Sequence, residues 1–270
     1  AEDFKVLRCS HKNLNGWEDF IPAKEGTLIG GLIFLKDWIV RSEVSDALSK
    51  IYVRNIKTNK EEELKITEER VISPGISLRQ KDKDTDVIRI GYDSPKTPSR
   101  TFEYNIKTKE KKLIKEQIIP SGHNRDNYIV ERLNCESHDG RKIPMTITYH
   151  KETKLDGSAH VLLYGYGSYG MSIGPSFSST RLSLINRNII WVTCHIRGGM
   201  ERGMRWWKEG KMLNKKNTFS DFISCAKFLI EKKYTSKKKI IAFGGSAGGL
   251  LLGCAINQIP DLLLGAIMSV

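Results

Sequence analysis

The chain has 270 residues, enough for one large or two ordinary domains with a sizeable core, and carries a net charge of +13 from 44 basic and 31 acidic residues. Its five cysteines are odd in number and scattered without a C-x-x-C, which gives no metal spacing and fits reduced thiols in a cytoplasm. The lysines are spread over turns, as at Lys107, Lys109, Lys111, Lys112 and Lys237 to Lys239, with no interleaved aromatics, so no nucleic-acid partner is expected. Asn257, Gln258, Pro260 and Asp261 interrupt the longest apolar run, and the opening Ala1-Glu2-Asp3-Phe4-Lys5 has no apolar core, so neither a membrane span nor a signal peptide is expected.

The N-terminal half alternates short strand-like runs with polar turns: Trp38 to Val44, Lys50 to Asn55, Glu62 to Ile66, Val87 to Tyr92 and Arg100 to Tyr104. Asn55-Ile56-Lys57-Thr58 recurs fifty residues on as Asn105-Ile106-Lys107-Thr108, each time leaving a strand. A period of that length is seen in propeller blades; chance recurrence in a Lys- and Asn-rich chain is the alternative. A boundary is expected near Asn124 to Tyr128, followed by a hairpin in which Tyr128 to Cys135 and Pro144 to His150 flank Asp139-Gly140.

From His160 onward the pattern becomes βα. Val161 to Tyr164 reads as a buried strand ending in the glycine-rich turn Gly165 to Gly170, Arg181 to Asn188 as a helix, and Ile189 to His195 as a strand ending at Arg197-Gly198-Gly199. Thr218 and Asp221 have the spacing of a capping box ahead of an apolar stripe formed by Phe219, Phe222, Ile223, Ala226, Leu229 and Ile230. The strand Ile240 to Phe243 then runs into Gly244-Gly245-Ser246-Ala247-Gly248-Gly249, a helix from Leu250 to Asn257 and a last strand, Gly265 to Val270.

An apolar strand entering G-x-S-x-G and leaving as a helix has the form of the nucleophile elbow of an α/β-hydrolase, with Ser246 as candidate nucleophile and the Ala247 N–H as candidate oxyanion donor. A hydroxyl from the Tyr166 turn is one candidate for the second donor; a packing or rim role for that tyrosine is the other. His195 precedes the serine, against the Ser, Asp/Glu, His order of this fold, and reads as structural. After Ser246 there is one carboxylate, Asp261, and no histidine.

Tyr164 to Gly170, His195 to Gly199, Gly210-Lys211, Lys216 to Phe219, Asp221-Phe222 and Gly244 to Gly249 together resemble the catalytic domain of prolyl oligopeptidase-type serine peptidases. The Ser168-Tyr169 and Ser246-Ala247-Gly248-Gly249 variants are most similar to oligopeptidase B, or protease II. Met200 and Arg202 depart from the small and apolar residues usual in that loop. The resemblance implies a partial β-propeller of two to three blades over residues 1–125 and the N-terminal portion of an α/β-hydrolase peptidase domain over 126–270. It also implies a side-chain oxyanion donor at Tyr166, short peptides as substrates, cleavage after Arg or Lys, and no cofactor or metal.

In that family the triad Asp and His lie in a C-terminal stretch without counterpart in these 270 residues. The chain is therefore expected to be part of a longer whole and nearly inactive alone, with a separately encoded C-terminal fragment as a possible partner. Two other readings stand beside the peptidase: an α/β-hydrolase acting on esters or acylated peptides, and a non-catalytic remnant or interaction module. The final strand is expected to form a bare sheet edge.

Overall fold

The computed structural model describes residues 2–78 and 83–270; Ala1 lies outside them. The first half is antiparallel throughout. Strands β1 (Val6–Ser10) and β2 (Asn13–Ile21) form a hairpin. One four-stranded sheet follows in the order β3 (Thr27–Phe34), β4 (Trp38–Ser45), β5 (Leu48–Asn55), β6 (Glu61–Glu63). A second is built from β7 (Ser73–Ser77), β8 (Val87–Asp93), β9 (Arg100–Asn105) and β10 (Lys111–Glu116) in the same succession. Their inward residues, among them Val40, Ile51, Val53, Ile88, Ile90 and Phe102, share one apolar cluster.

The repeated tetrapeptide is a repeated device. Asn55 and Asn105 each end the third strand of a sheet, and each side-chain carbonyl accepts from the backbone N–H groups two and three residues on, at 2.9–3.0 Å. Ile56 and Ile106 donate their N–H to the carbonyls of Asp37 and Asp86, and Asn59 and Lys109 close the two turns at positive φ. An asparagine that bonds its own turn and a hydrophobe that re-enters the sheet are what the spacing encodes. Beyond Glu63 the expected strand to Ile66 stops, because β6 pairs with β5 only over Glu61 to Glu63. Strands β1 to β3, β7 and β10 carry weaker alternation and were not expected.

The second half is one six-stranded mixed sheet in the order β11 (Tyr128–Glu136), β12 (Lys142–His150), β14 (Ile189–Cys194), β13 (His160–Tyr164), β15 (Ile240–Gly245), β16 (Leu263–Ser269). The β11–β12 hairpin is antiparallel and joins β14 antiparallel; β14, β13, β15 and β16 are parallel to one another. Helices α3 (Lys216–Glu231) and α4 (Ala247–Gln258) cover the face that carries Val161, Leu163, Ile190, Val192, Ile240 and Ala242. On the other face α1 (Ser179–Ile185) packs Leu182 and Ile185 on Leu162 and Trp191. The period-two alternation thus feeds two cores. Helix α2 (Gly203–Lys208) follows the Arg197 turn. No helix among the described residues is long and apolar enough to cross a membrane.

Two local expectations are corrected. The helix expected over Arg181 to Asn188 starts two residues earlier and ends at Ile185, with Asn188 at φ 59° turning the chain into β14. The capping box of Thr218 and Asp221 does not form. Helix α3 begins at Lys216, so Thr218 lies inside its first turn with its hydroxyl facing the carbonyls of Arg197 and Gly210, at 2.8 and 3.1 Å. The Asp221 carboxylate goes to Arg197, a charged donor that outcompetes a helix N–H.

Among the described residues strand β16 pairs only with β15 and is one edge of the sheet, β11 being the other. Leu264, Ile267, Met268 and Val270 are about half exposed or more, with no lysine or proline in the strand. Such an edge is a template for pairing with another chain. The purified chain is expected to self-associate, and Ile267→Lys to shift it toward the monomer; size-exclusion chromatography that finds both proteins equally monomeric would refute this.

Candidate active site

The three candidate residues lie at the carboxyl edge of the parallel strands, where open α/β sheets place their sites. Ser246 sits between β15 and α4 at φ 51°, ψ −123°, a conformation that L side chains rarely adopt, and it is exposed. Its N–H donates to the Ser269 carbonyl of β16 at 2.7 Å, and its own carbonyl accepts from the Gly249 N–H at 2.8 Å. The elbow is tight enough that a Cβ on Gly244 would stand 2.9 Å from the Gly248 carbonyl oxygen and 3.1 Å from that of Gly165. Ala247 opens α4, at a position whose N–H no preceding helical carbonyl can take.

The strand-end turn from Gly165 lies directly over this elbow. Gly165 donates its N–H to the Phe243 carbonyl at 3.2 Å, and Tyr166, half buried, packs its ring and Cα beside Gly248. The fold therefore brings Tyr166 and the first turn of α4 together. A groove of about 700 Å³ opens on the α1 side of the sheet, lined by Tyr164, Trp191, Phe243, Gly245, Ile267 and Arg181, with neither Ser246 nor Tyr166 in its wall.

Beneath the Tyr166 turn lies the Arg197 turn. A Cβ on Gly198, at φ 102°, would collide with the Gly167 carbonyl, and the Gly170 N–H donates to the Gly198 carbonyl at 2.9 Å, so the two loops touch backbone to backbone. Arg197 is 1% exposed. Its backbone N–H and Nε both donate to Asp221 Oδ2, at 3.0 and 2.9 Å, and its terminal nitrogens reach Asp221 Oδ1 at 2.6 Å and Asp139 Oδ2 at 2.5 Å. Ser137 adds its hydroxyl to Asp221 Oδ1 at 2.6 Å. Burial alone would depress the guanidinium pKa, but the two carboxylates raise it above its ordinary value; against the same burial effect, Arg197 holds the Asp139 carboxyl below its usual range.

His195 directly follows β14 at this same edge, but its ring is turned into the interior. It is completely buried, its Nε2 is 2.8 Å from the Thr146 hydroxyl, and its carbonyl accepts from the Trp206 indole at 3.1 Å. Burial first, then the Arg132 charge, pushes its pKa well below the ordinary histidine value. Nearby, Glu201 is 2% exposed, accepts the Ile173 N–H at 3.1 Å, and has its pKa pushed up to about 7 by burial.

Met200 and Arg202 have partners. Met200 packs its side chain against Gly170. Arg202 donates to Asp46 at 2.7 Å and to Asn134 at 3.2 Å, and lies over the Trp206 ring. Asp46 belongs to the turn between β4 and β5, so this loop joins the two halves of the chain. No group of three or more His, Cys, Asp or Glu is placed to hold a metal among the described residues.

A strand–serine–helix elbow on a mixed sheet, preceded by successive four-stranded antiparallel sheets, defines an α/β-hydrolase of the propeller-bearing class. The family model for the prolyl oligopeptidase family matches residues 175–270, and that for its N-terminal β-propeller domain matches 1–117. Dipeptidyl aminopeptidase BI of Pseudoxanthomonas mexicana is 36% identical over 97% of this chain and 36% of its own length. Protease 2 of Moraxella lacunata is 35% identical over 97% and 37%. Oligopeptidase B from Trypanosoma brucei with covalently bound antipain superimposes with a TM-score of 0.90 at 31% identity, over 98% of this chain and 39% of that one. The chain belongs to the prolyl oligopeptidase family, a family of peptidases, and spans a little over a third of the length of these relatives.

Two outcomes follow from the buried charges. Asp221→Ala leaves a buried guanidinium short of its main partner and is expected to destabilise the chain by about 3–5 kcal/mol, against well under 1 kcal/mol for an exposed carboxylate such as Glu152; equal urea midpoints for the two variants would contradict it. For Glu201, a folded-state pKa raised from 4.5 to about 7 means that the folded chain binds more protons than the unfolded one across that window. Its contribution to stability is therefore greatest below pH 4.5 and is lost as pH rises to about 7. Glu201→Gln removes this slope, so its stability relative to the parent should rise by on the order of 3 kcal/mol between pH 4.5 and 8. A pH-independent difference in urea unfolding would show that Glu201 is ionised throughout.

Proposed function

We propose that this chain is the nucleophile-bearing part of a serine-type oligopeptidase that cleaves short peptides through an acyl-enzyme. The observation that carries the reading is Ser246 itself, an exposed non-glycine residue at positive φ on a strand-to-helix elbow, with the Tyr166 turn packed against the same first helical turn. In this reading Ser246 Oγ attacks the scissile carbonyl while a base takes its proton. The oxyanion that forms is met by the Ala247 N–H and the Tyr166 hydroxyl; the intermediate collapses as the protonated base returns the proton to the leaving amine, and water then hydrolyses the ester.

The base and its orienting carboxylate are proposed to come from a segment outside these 270 residues, since only Asp261 and no histidine follow Ser246. Two features support such a partner: the unpaired edge of β16, open to another parallel strand, and the groove beside it lined by Phe243, Ile267 and Arg181. We further propose a division near residues 125 and 126, with a propeller part ahead of a peptidase part, and residence in the cytoplasm, in keeping with five free cysteines. Preference for Arg or Lys rests on the similarity to oligopeptidase B.

The isolated chain is expected to be almost silent, because loss of the base costs about as much as loss of the whole triad. Stoichiometric labelling of Ser246 by a fluorophosphonate would refute that. Supplied with a C-terminal segment carrying Asp and His, it should cleave short peptides, lose this in Ser246→Ala, and fall about 10²- to 10³-fold in kcat in Tyr166→Phe. Full activity in Ser246→Ala would end the serine-peptidase reading; full activity in Tyr166→Phe would remove only the role of Tyr166.

A further inference from the structure

Lys215 stands immediately before α3, half buried, and its ammonium points into the Tyr166 turn. Nζ donates to the Gly167 carbonyl at 2.6 Å and lies 2.8 Å from the Ser168 hydroxyl. It sits 6.0 Å from the centre of the Phe219 ring, and no carboxylate pairs with it among the described residues. A partly desolvated ammonium without a counter-ion is costly, and methionine or leucine would fill the same space without that cost. What the charge does at this place is hold two consecutive oxygens of one loop.

Gly165 is bonded to Phe243 and Gly170 to Gly198 at the loop's ends, and the Met171 N–H closes back on the Ser168 carbonyl at 3.0 Å, all through neutral backbone hydrogen bonds. Between them, the charge-assisted bonds from Lys215 fall on the two residues that directly follow Tyr166. An oxyanion donor is useful only when it is preorganised, held at its position before charge develops.

We infer that Lys215 is a positioning residue for the hydrolytic reaction, fixing the Tyr166 hydroxyl as an oxyanion donor by holding the carbonyl of Gly167 and the hydroxyl of Ser168. This rests on the role proposed for Tyr166, and the test separates the two. On the chain alone, Lys215→Met should raise hydrogen exchange of the amides of residues 165–170 by about tenfold or more while exchange in β13 and α4 stays unchanged. Unchanged exchange in the loop would overturn the inference whether or not activity is ever reconstituted.

In the reconstituted peptidase, Lys215→Met should lower kcat about 10- to 100-fold with KM within about twofold, and Lys215→Arg should recover most of it. In a Tyr166→Phe background the same Lys215→Met change should cost less than about threefold, because the hydroxyl it positions is gone. Equal losses in both backgrounds, or a loss confined to KM, would overturn the positioning role. If Tyr166→Phe alone costs nothing, the reading of Tyr166 fails instead.

Discussion

The guanidinium of Arg197 is the contact on which the site's architecture depends. It is buried at the point where three elements meet: the β11–β12 turn through Ser137 and Asp139, the end of β14 through its own backbone, and α3 through Asp221. A buried charge is tolerable only when its donors are met, and here the backbone N–H, Nε and both terminal nitrogens reach carboxylate oxygens. The geometry of that fork fixes where Gly198 lies. Because Gly198 touches Gly167, and Gly170 bonds to the Gly198 carbonyl, the position of the Tyr166 turn is inherited from Arg197.

The two halves of the chain reach stability differently. In the antiparallel sheets most contacts are between neighbours in sequence, and the turn chemistry of Asn55 and Asn105 sets register locally. In the mixed sheet only the β11–β12 hairpin is local; the central β13 pairs with β14 and β15, so its parallel strands wait until α1 and α3 have crossed over. The halves are tied where Asp46 meets Arg202, where Asp93 accepts the Phe177 N–H at 3.2 Å, and where Asp3 accepts the Met204 N–H at 2.6 Å. The loop that carries Met200 and Arg202 is thus a contact between the two halves of the chain, through Arg202 and Asp46.

Much of this was legible in the sequence where one residue's needs are local. Ser246 between small residues, the Asp139-Gly140 hairpin, the apolar strand Ile189 to Cys194 and the asparagine turns all announce themselves by chemistry that acts over a few residues. What stayed hidden depends on partners far away in the chain. Thr218 and Asp221 have the spacing of a cap, but Arg197, twenty-four residues from Asp221, claims the carboxylate. Asp139, Glu201 and Lys215 look in sequence like ordinary surface charges; only the packing that buries the guanidinium beside Asp139, isolates Glu201 and aims Lys215 at the Gly167 carbonyl gives them meaning. The exposed strands β2 and β10 have no clean alternation because neither face is well covered.

The conflicts between local preference and observed conformation are unevenly placed. Asp46, Asn59, Lys109 and Asn188 take positive φ in turns, where polar residues pay little for it; Phe4, Ala47, Tyr169 and Met212 take it as well, and among the described residues eight glycines share it. Ser246 is different. At φ 51°, ψ −123° glycine would be free of strain, whereas a residue with a Cβ bears on the order of 1–3 kcal/mol. Gly244, Gly245, Gly248 and Gly249 surround it, and a Cβ on any of them would stand within 3.3 Å of a neighbouring atom, so the tight backbone around the serine calls for glycine. At the one position of the elbow that points to solvent, the chain keeps an oxygen-bearing side chain despite the strain. That oxygen makes no hydrogen bond that caps α4, so helix capping does not account for its retention. A hydroxyl at a strained, exposed corner above the carboxyl edge of a parallel sheet, free of any capping bond to α4, is what the nucleophile role proposed for Ser246 would use.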